Sequence, residues 1–129
     1  MVLVDTSVWV DFFRNPAADY NYRLEGLIRG QNRVAICGIV LQEILQGIRD
    51  RESYQVTRQR LLFLPFFEAG REVHLLAASL YRDLRKKGIT VPSTDALIAA
   101  AAIHHGSPIL SGDQHFVVIA ANSQLQLFA

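Results

Sequence analysis

Cysteine occurs once in these 129 residues, as Cys37, and methionine and tryptophan occur once each. A single thiol excludes an internal disulfide and a zinc site built from several cysteines. Its setting in the strand-like "RVAIC" reads as a small buried residue rather than a reactive one. A strong charge of one sign is also missing. Thirteen basic residues stand against twelve acidic ones, for a net of +1, too small a total to argue for polyanion binding. No apolar run approaches the roughly 18 residues of a spanning helix. Asp5 interrupts the start before a secretory apolar stretch can form, so a cytoplasmic protein is expected. Repeats, low-complexity tracts and Gly/Ser-rich linkers are lacking too, and one domain over residues 1–129 is expected.

What is present is a chain half hydrophobic and 19% charged, with 11 of the 13 basic residues arginine. That composition argues against disorder. Arginine suits bidentate phosphate or carboxylate contacts, although solvated helix faces use it equally well. Short apolar strand candidates lie at Val2 to Val4, Val34 to Cys37, Phe66 to Ala69, Ile109 to Leu110 and Leu125 to Phe128. Helical spacing runs over Val8 to Arg14, Tyr20 to Arg29, Ile39 to Arg49, Ser53 to Leu64, Glu72 to Lys87, Thr94 to His105 and His115 to Ala121. The alternation predicts an α/β fold with a parallel sheet covered on both faces, whose strands read as continuous apolar runs. Pro92 precedes a Ser93/Thr94 cap of the very apolar helix "ALIAAAAI", which Gly106 ends. In such sheets ligands bind outside the carboxyl ends of the strands.

Four of the twelve acids have unusual surroundings for a carboxylate. Asp5 ends the first strand and precedes Thr6 and Ser7; an N-cap is its ordinary role. Glu43 in "GIVLQEILQG" falls at the border of the apolar arc, where reaching solvent or pairing with Arg49 is the ordinary outcome. Asp95 opens the apolar helix, where a first-turn acid complements the dipole. Asp113 follows "PILSG" as a turn or cap residue. Singly, each ordinary role is the better reading. Together, four carboxylates at one sheet edge repel unless a cation lies among them. Oxygen ligands without paired histidines or cysteines favour Mg²⁺ or Mn²⁺ over zinc, and such sites perform phosphoryl chemistry. Asp11 has the setting of a surface charge.

The segments "VLVDTSVWVDFF", "GIVLQEILQGI", "STDALIAAAAIHHG" and "PILSGDQHF" resemble, in this order and over almost the whole chain, the signatures of the PIN domain family. The likeness is greatest to VapC toxins of type II toxin–antitoxin pairs. It implies a three-layer α/β/α fold with a parallel five-stranded sheet, and a Mg²⁺- or Mn²⁺-dependent endoribonuclease. It also implies a homodimer and a VapB-type antitoxin partner. Asp5, Glu43, Asp95 and Asp113 match the family's four acids. Asp5, Asp95 and Asp113 are then metal ligands, directly or through water, and Glu43 positions or activates water. Thr6 and Ser111 match small hydroxyl residues beside the first and last acids, where they orient carboxylates or cap turns. Where many relatives carry a further acid, this sequence has His115.

A non-catalytic RNA- or protein-binding module on the same fold is the alternative function. A phosphatase using an aspartate after its first strand is disfavoured, because Ser7 stands where its second aspartate is required. Trp9 and Phe12, three apart, are expected to pack rather than to stack on a base. The basic stretch "YRDLRKKG" is expected to complement a helix C-terminus. His74, His104 and His105 are expected to be structural.

Overall fold

The computed structural model describes residues 1–14, 24, 26, 27 and 33–128. Most of the helix expected over Tyr20 to Arg29 lies outside the described residues. Strand β1 (Val2–Val4) runs through Asp5 into α1 (Thr6–Arg14), and β2 (Val34–Cys37) passes directly into α2 (Gly38–Gln46), followed by α3 (Arg51–Leu62). Then come β3 (Phe66–Phe67), α4 (Arg71–Lys86), α5 (Ser93–His104), β4 (Ile109–Leu110) and α6 (Gln114–Ala121).

The strands pair in the order β3-β2-β1-β4, all parallel, with Val4 opposite Leu110 and Cys37 opposite Phe67. Every residue of β1, β2 and β4 is buried. Strands that hide both sets of alternating side chains are covered on both faces, as the unbroken apolar runs predict. Cys37 is among them, and burial pushes its thiol pKa up, which keeps it an unreactive core residue. Phe116, Leu3, Ile36, Ile98 and Ile109 are the large side chains at the centre.

The sheet departs from the expected five strands. Leu125 to Phe128 contributes a single parallel bridge, Leu127 to Ile109, in which Ile109 N–H donates to Gln126 O (2.9 Å) and Phe128 N–H to Ile109 O (2.8 Å). The cause lies in β4, which offers only two residues before Ser111 and Gly112 leave the sheet. The third strand likewise stops at Phe67 rather than Ala69. Its partner β2 ends at Cys37, where the chain turns into α2, so no ladder remains for later residues to join.

Helix α5 is buried at Ala96 and continuously from Ile98 to Ala102, as its all-apolar sequence requires. Its N-cap is Pro92, not Ser93 or Thr94, and no side chain caps it; Ala96 N–H instead donates to Pro92 O at 3.1 Å. At the other end Gly106, at φ +64°, turns the chain so that Ser107 N–H closes on Ala102 O at 2.9 Å. Buried Ser107 then accepts from Leu3 N–H at 3.1 Å and lies 3.0 Å from Met1 O, joining this corner to β1.

The aromatic residues of α1 pack on one another. Trp9 stacks on Phe13 at 5.9 Å and meets Phe12 edge-on at 6.3 Å. Arg85 and Lys86 lie in the last turn of α4, where cations suit the dipole. His105 stacks on Phe67 at 4.3 Å, with Nε2 2.9 Å from Glu68 O, a structural role as expected. His74 instead is exposed on α4, on the wet side of the apolar pattern.

Candidate active site

The connections from β1 lead to β2 on one side, while β4 returns to pair with β1 on the other. This reversal opens a crevice at the carboxyl ends of β1 and β4, the place where open parallel sheets bind ligands. The Val4–Leu110 register sets Asp5 beside Ser111, and Asp5 N–H donates to Leu110 O at 2.9 Å. The first and last of the four acids thus meet because their strands are neighbours.

Asp5 is 4% exposed, and its carboxylate is held by three donors among the described residues. Thr6 N–H reaches Oδ1 at 2.7 Å, while the Ser7 and Ser111 hydroxyls reach Oδ2 at 2.8 and 2.9 Å. With two donors on Oδ2, the free acceptor capacity lies mainly on Oδ1. Val8 and Trp9 N–H donate to the Asp5 carbonyl at 3.2 and 3.3 Å, so its backbone starts α1 while its side chain turns into the crevice.

From Ser111 the hydrogen bonds continue. Its hydroxyl accepts from Asp113 N–H at 2.9 Å, and Asp113 Oδ1 caps α6 by accepting from His115 N–H at 2.9 Å. That cap, one of the ordinary roles expected of Asp113, carries the His115 ring back toward the acids. Its Nδ1 is 3.0 Å from Asp95 Oδ2 and 3.1 Å from Asp113 Oδ1. Glu43 joins from the α2 side, where Thr6 Oγ1 donates to Glu43 Oε1 at 2.9 Å.

The electrostatics of the cluster centre on Asp95, whose side chain is only 13% exposed. Burial raises its carboxyl first, the Asp113 and Asp5 charges raise it further, and His115 opposes them; the pKa stands at about 6. Donor atoms of Asp95, Asp113 and His115 all lie within 4.8 Å of one another. Carboxylates that repel, with an imidazole among them, make a donor set that suits a divalent cation.

Of the residues singled out from sequence, Asp5, Asp95, Asp113 and Ser111 lie in this connected network, and Glu43 is attached to it through Thr6. No Glu43–Arg49 ion pair occurs among the described residues. Two members were not anticipated in these roles. Neither Ser7, two residues after Asp5, nor His115, which stands in place of an acid, is marked as part of the site by its local sequence. Asp11 is corrected from surface charge: it lines a cleft of about 350 Å³ with Ser7, Val8, Gly112 and Asp113, and its buried Oδ2 has no hydrogen-bond partner among the described residues.

Residues 2–122 match the family model described as PIN domain. The chain belongs to the PIN domain family. This PIN domain is 36% identical over 129 residues to Ribonuclease VapC11 of Mycobacterium tuberculosis, covering 98% of this chain and 96% of that protein. It is 31% identical over 119 residues to Ribonuclease VapC1 of Methanocaldococcus jannaschii, with 89% and 78% covered. In three dimensions it resembles a chain of VapBC2 from Rickettsia felis, solved bound to a DNA fragment from their promoter. The TM-score is 0.81 at 24% identity, covering 99% of this chain and 98% of that one. The matched span covers the positions of all four acids.

Proposed function

We propose that the protein is a metal-dependent endoribonuclease of the VapC kind, the toxin of a toxin–antitoxin pair, acting as one PIN unit over residues 1–129. The observation that carries this reading is the continuous network from Asp5 through Ser111, Asp113 and His115 to Asp95 at the sheet's switch point. The names of VapC11 and VapC1, both ribonucleases, support the substrate class.

Asp5, Asp95 and Asp113 would hold Mg²⁺ or Mn²⁺, directly or through water. The bound cation supplies charge neutralisation at a phosphate and lowers the pKa of coordinated water. The protein's own groups do the rest. Ser7, Ser111 and Thr6 N–H fix the Asp5 carboxylate, so that it meets the cation without reorganising. The Thr6 hydroxyl orients Glu43, whose second oxygen is the acceptor for a proton from the attacking water. Asp95 enters its charged, ligating form above about pH 6. A separate cleft of about 420 Å³ between α4 and the start of α5, lined by His74, Tyr81, Arg82, Ser93 and Thr94, would give the RNA a further contact surface. A guanidinium and aromatic rings suit phosphate and base contacts.

The test is cleavage of structured RNA by purified protein with Mg²⁺ or Mn²⁺, against EDTA. Activity is expected only with the metal and is expected to disappear in Asp5→Asn and Asp95→Asn. Cleavage that survives EDTA or both substitutions overturns the reading; intact RNA binding without cleavage favours a non-catalytic module. For the partner, induction in cells is expected to arrest growth and co-expression of a VapB-type antitoxin to relieve it. Light scattering of the free protein reports whether it forms the homodimer.

A further inference from the structure

His115 has no role in the chemistry proposed so far, yet both its backbone and its ring are engaged by the cluster. The backbone N–H of His115 is held by the Asp113 cap, and its ring nitrogen lies between the carboxylates of Asp95 and Asp113. The ring is 44% exposed, so its other nitrogen can reach solvent. Metal–ligand bonds of about 2.1 Å set at right angles place neighbouring donor atoms about 3.0 Å apart. The two observed nitrogen–oxygen separations, 3.0 and 3.1 Å, are those of adjacent corners of one such octahedron. A single imidazole N–H, by contrast, can point squarely at only one of two carboxylate oxygens.

We infer that His115 Nδ1 is a direct ligand of the divalent cation, together with Asp95 and Asp113, and that this nitrogen biases the site toward Mn²⁺ over Mg²⁺. The inference rests on the metal-dependent reading above and changes its ligand set. Asp5, already carrying three hydrogen bonds, would then support the cation through water or its remaining Oδ1 capacity. For nitrogen to ligate, the ring must be neutral, with its hydrogen on Nε2 facing solvent. Mg²⁺ is a hard ion that favours oxygen and keeps its waters, whereas Mn²⁺ accepts imidazole more readily.

Pulsed electron paramagnetic resonance on the full chain loaded with Mn²⁺ tests this without measuring cleavage. Wild-type protein is expected to show the modulation of a directly bound imidazole nitrogen, and that pattern is expected to change when histidine alone is labelled with ¹⁵N. In His115→Asp the modulation is expected to vanish while Mn²⁺ still binds, and the Mn²⁺/Mg²⁺ affinity ratio is expected to fall about tenfold. Bound Mn²⁺ without nitrogen coupling in the wild type overturns the ligand assignment and leaves the metal-dependent reading intact. Coupling that persists in His115→Asp also overturns it, because another histidine is then the source. Absence of any Mn²⁺ binding overturns both.

Discussion

At Asp95, burial and the neighbouring Asp113 and Asp5 carboxylates act in the same direction, and they hold the proton to a pKa of about 6. An aspartate in the unfolded chain releases it near pH 3.9. Between these values the folded state binds more protons than the unfolded one, so the stability of the metal-free protein is expected to fall as pH rises from about 4 to about 6 and then to level off. Urea denaturation across that window reads the slope, and Asp95→Asn is expected to flatten it. A cation that binds only the folded cluster reverses the trend: millimolar Mg²⁺ or Mn²⁺ at pH 7 is expected to raise the midpoint of thermal unfolding, and EDTA to abolish the rise. The acids were legible in the sequence because each departs from its surroundings: a carboxylate after an apolar strand, or at the head of an apolar helix. Which nitrogen or hydroxyl completes the set was not, because Ser7 and His115 are ordinary first-turn helix residues until the β1–β4 register gathers the acids they touch.

Between elements, the contact of most consequence is the one from Thr6 on α1 to Glu43 on α2. Both helices start directly from the ends of adjacent strands, so the position of Glu43 depends on how α2 leaves β2. The hydroxyl fixes which way the carboxylate faces. Thr6→Val keeps the shape and removes the donor; kcat on RNA is expected to fall about tenfold, with Thr6→Ser retaining most of it. Both variants are expected to unfold within about 1 kcal/mol of wild type, since the residue is only half-buried. In the separate cleft between α4 and α5, Arg82→Ala is expected to raise KM several-fold and leave kcat unchanged, the pattern of a group that binds the RNA backbone before and during the reaction alike. Element positions were readable from periodicity: α1 to α6 all fall within two residues of their expected starts. The end of β3 and the cap of α5 were not. The third strand is short because β2 leaves the ladder at Cys37, and the α5 cap is a proline carbonyl rather than a hydroxyl, and neither fact resides in the local sequence.

For the whole molecule, strand order decides the site, since only β1 beside β4 brings Asp5 to Asp113. Alternation of strands and helices foretold a parallel sheet with covered faces. The order itself was not legible, because short apolar runs carry no label of their neighbours. The same order leaves β4 as the strand that must be closed from outside, and the segment after α6 does this. The family match ends at residue 122, but Leu125 beyond it is 4% exposed and the backbone of residues 126 and 128 hydrogen-bonds to Ile109. Ile109 and Leu110 are buried and lead directly into Ser111, so covering this edge also holds the turn that presents Ser111 and Asp113 to the site. Leu125→Ala is expected to destabilise the protein by about 2–5 kcal/mol, the usual range for a buried leucine truncated in a core. Its effect on the site is expected to be larger than the distance along the chain suggests: at temperatures where the variant is still folded, hydrogen exchange at Leu110 and Asp113 amides should quicken. If urea titration gives wild-type stability and those amides stay protected, the segment after α6 is an appendage, and β4 owes its position to β1 and α5 alone.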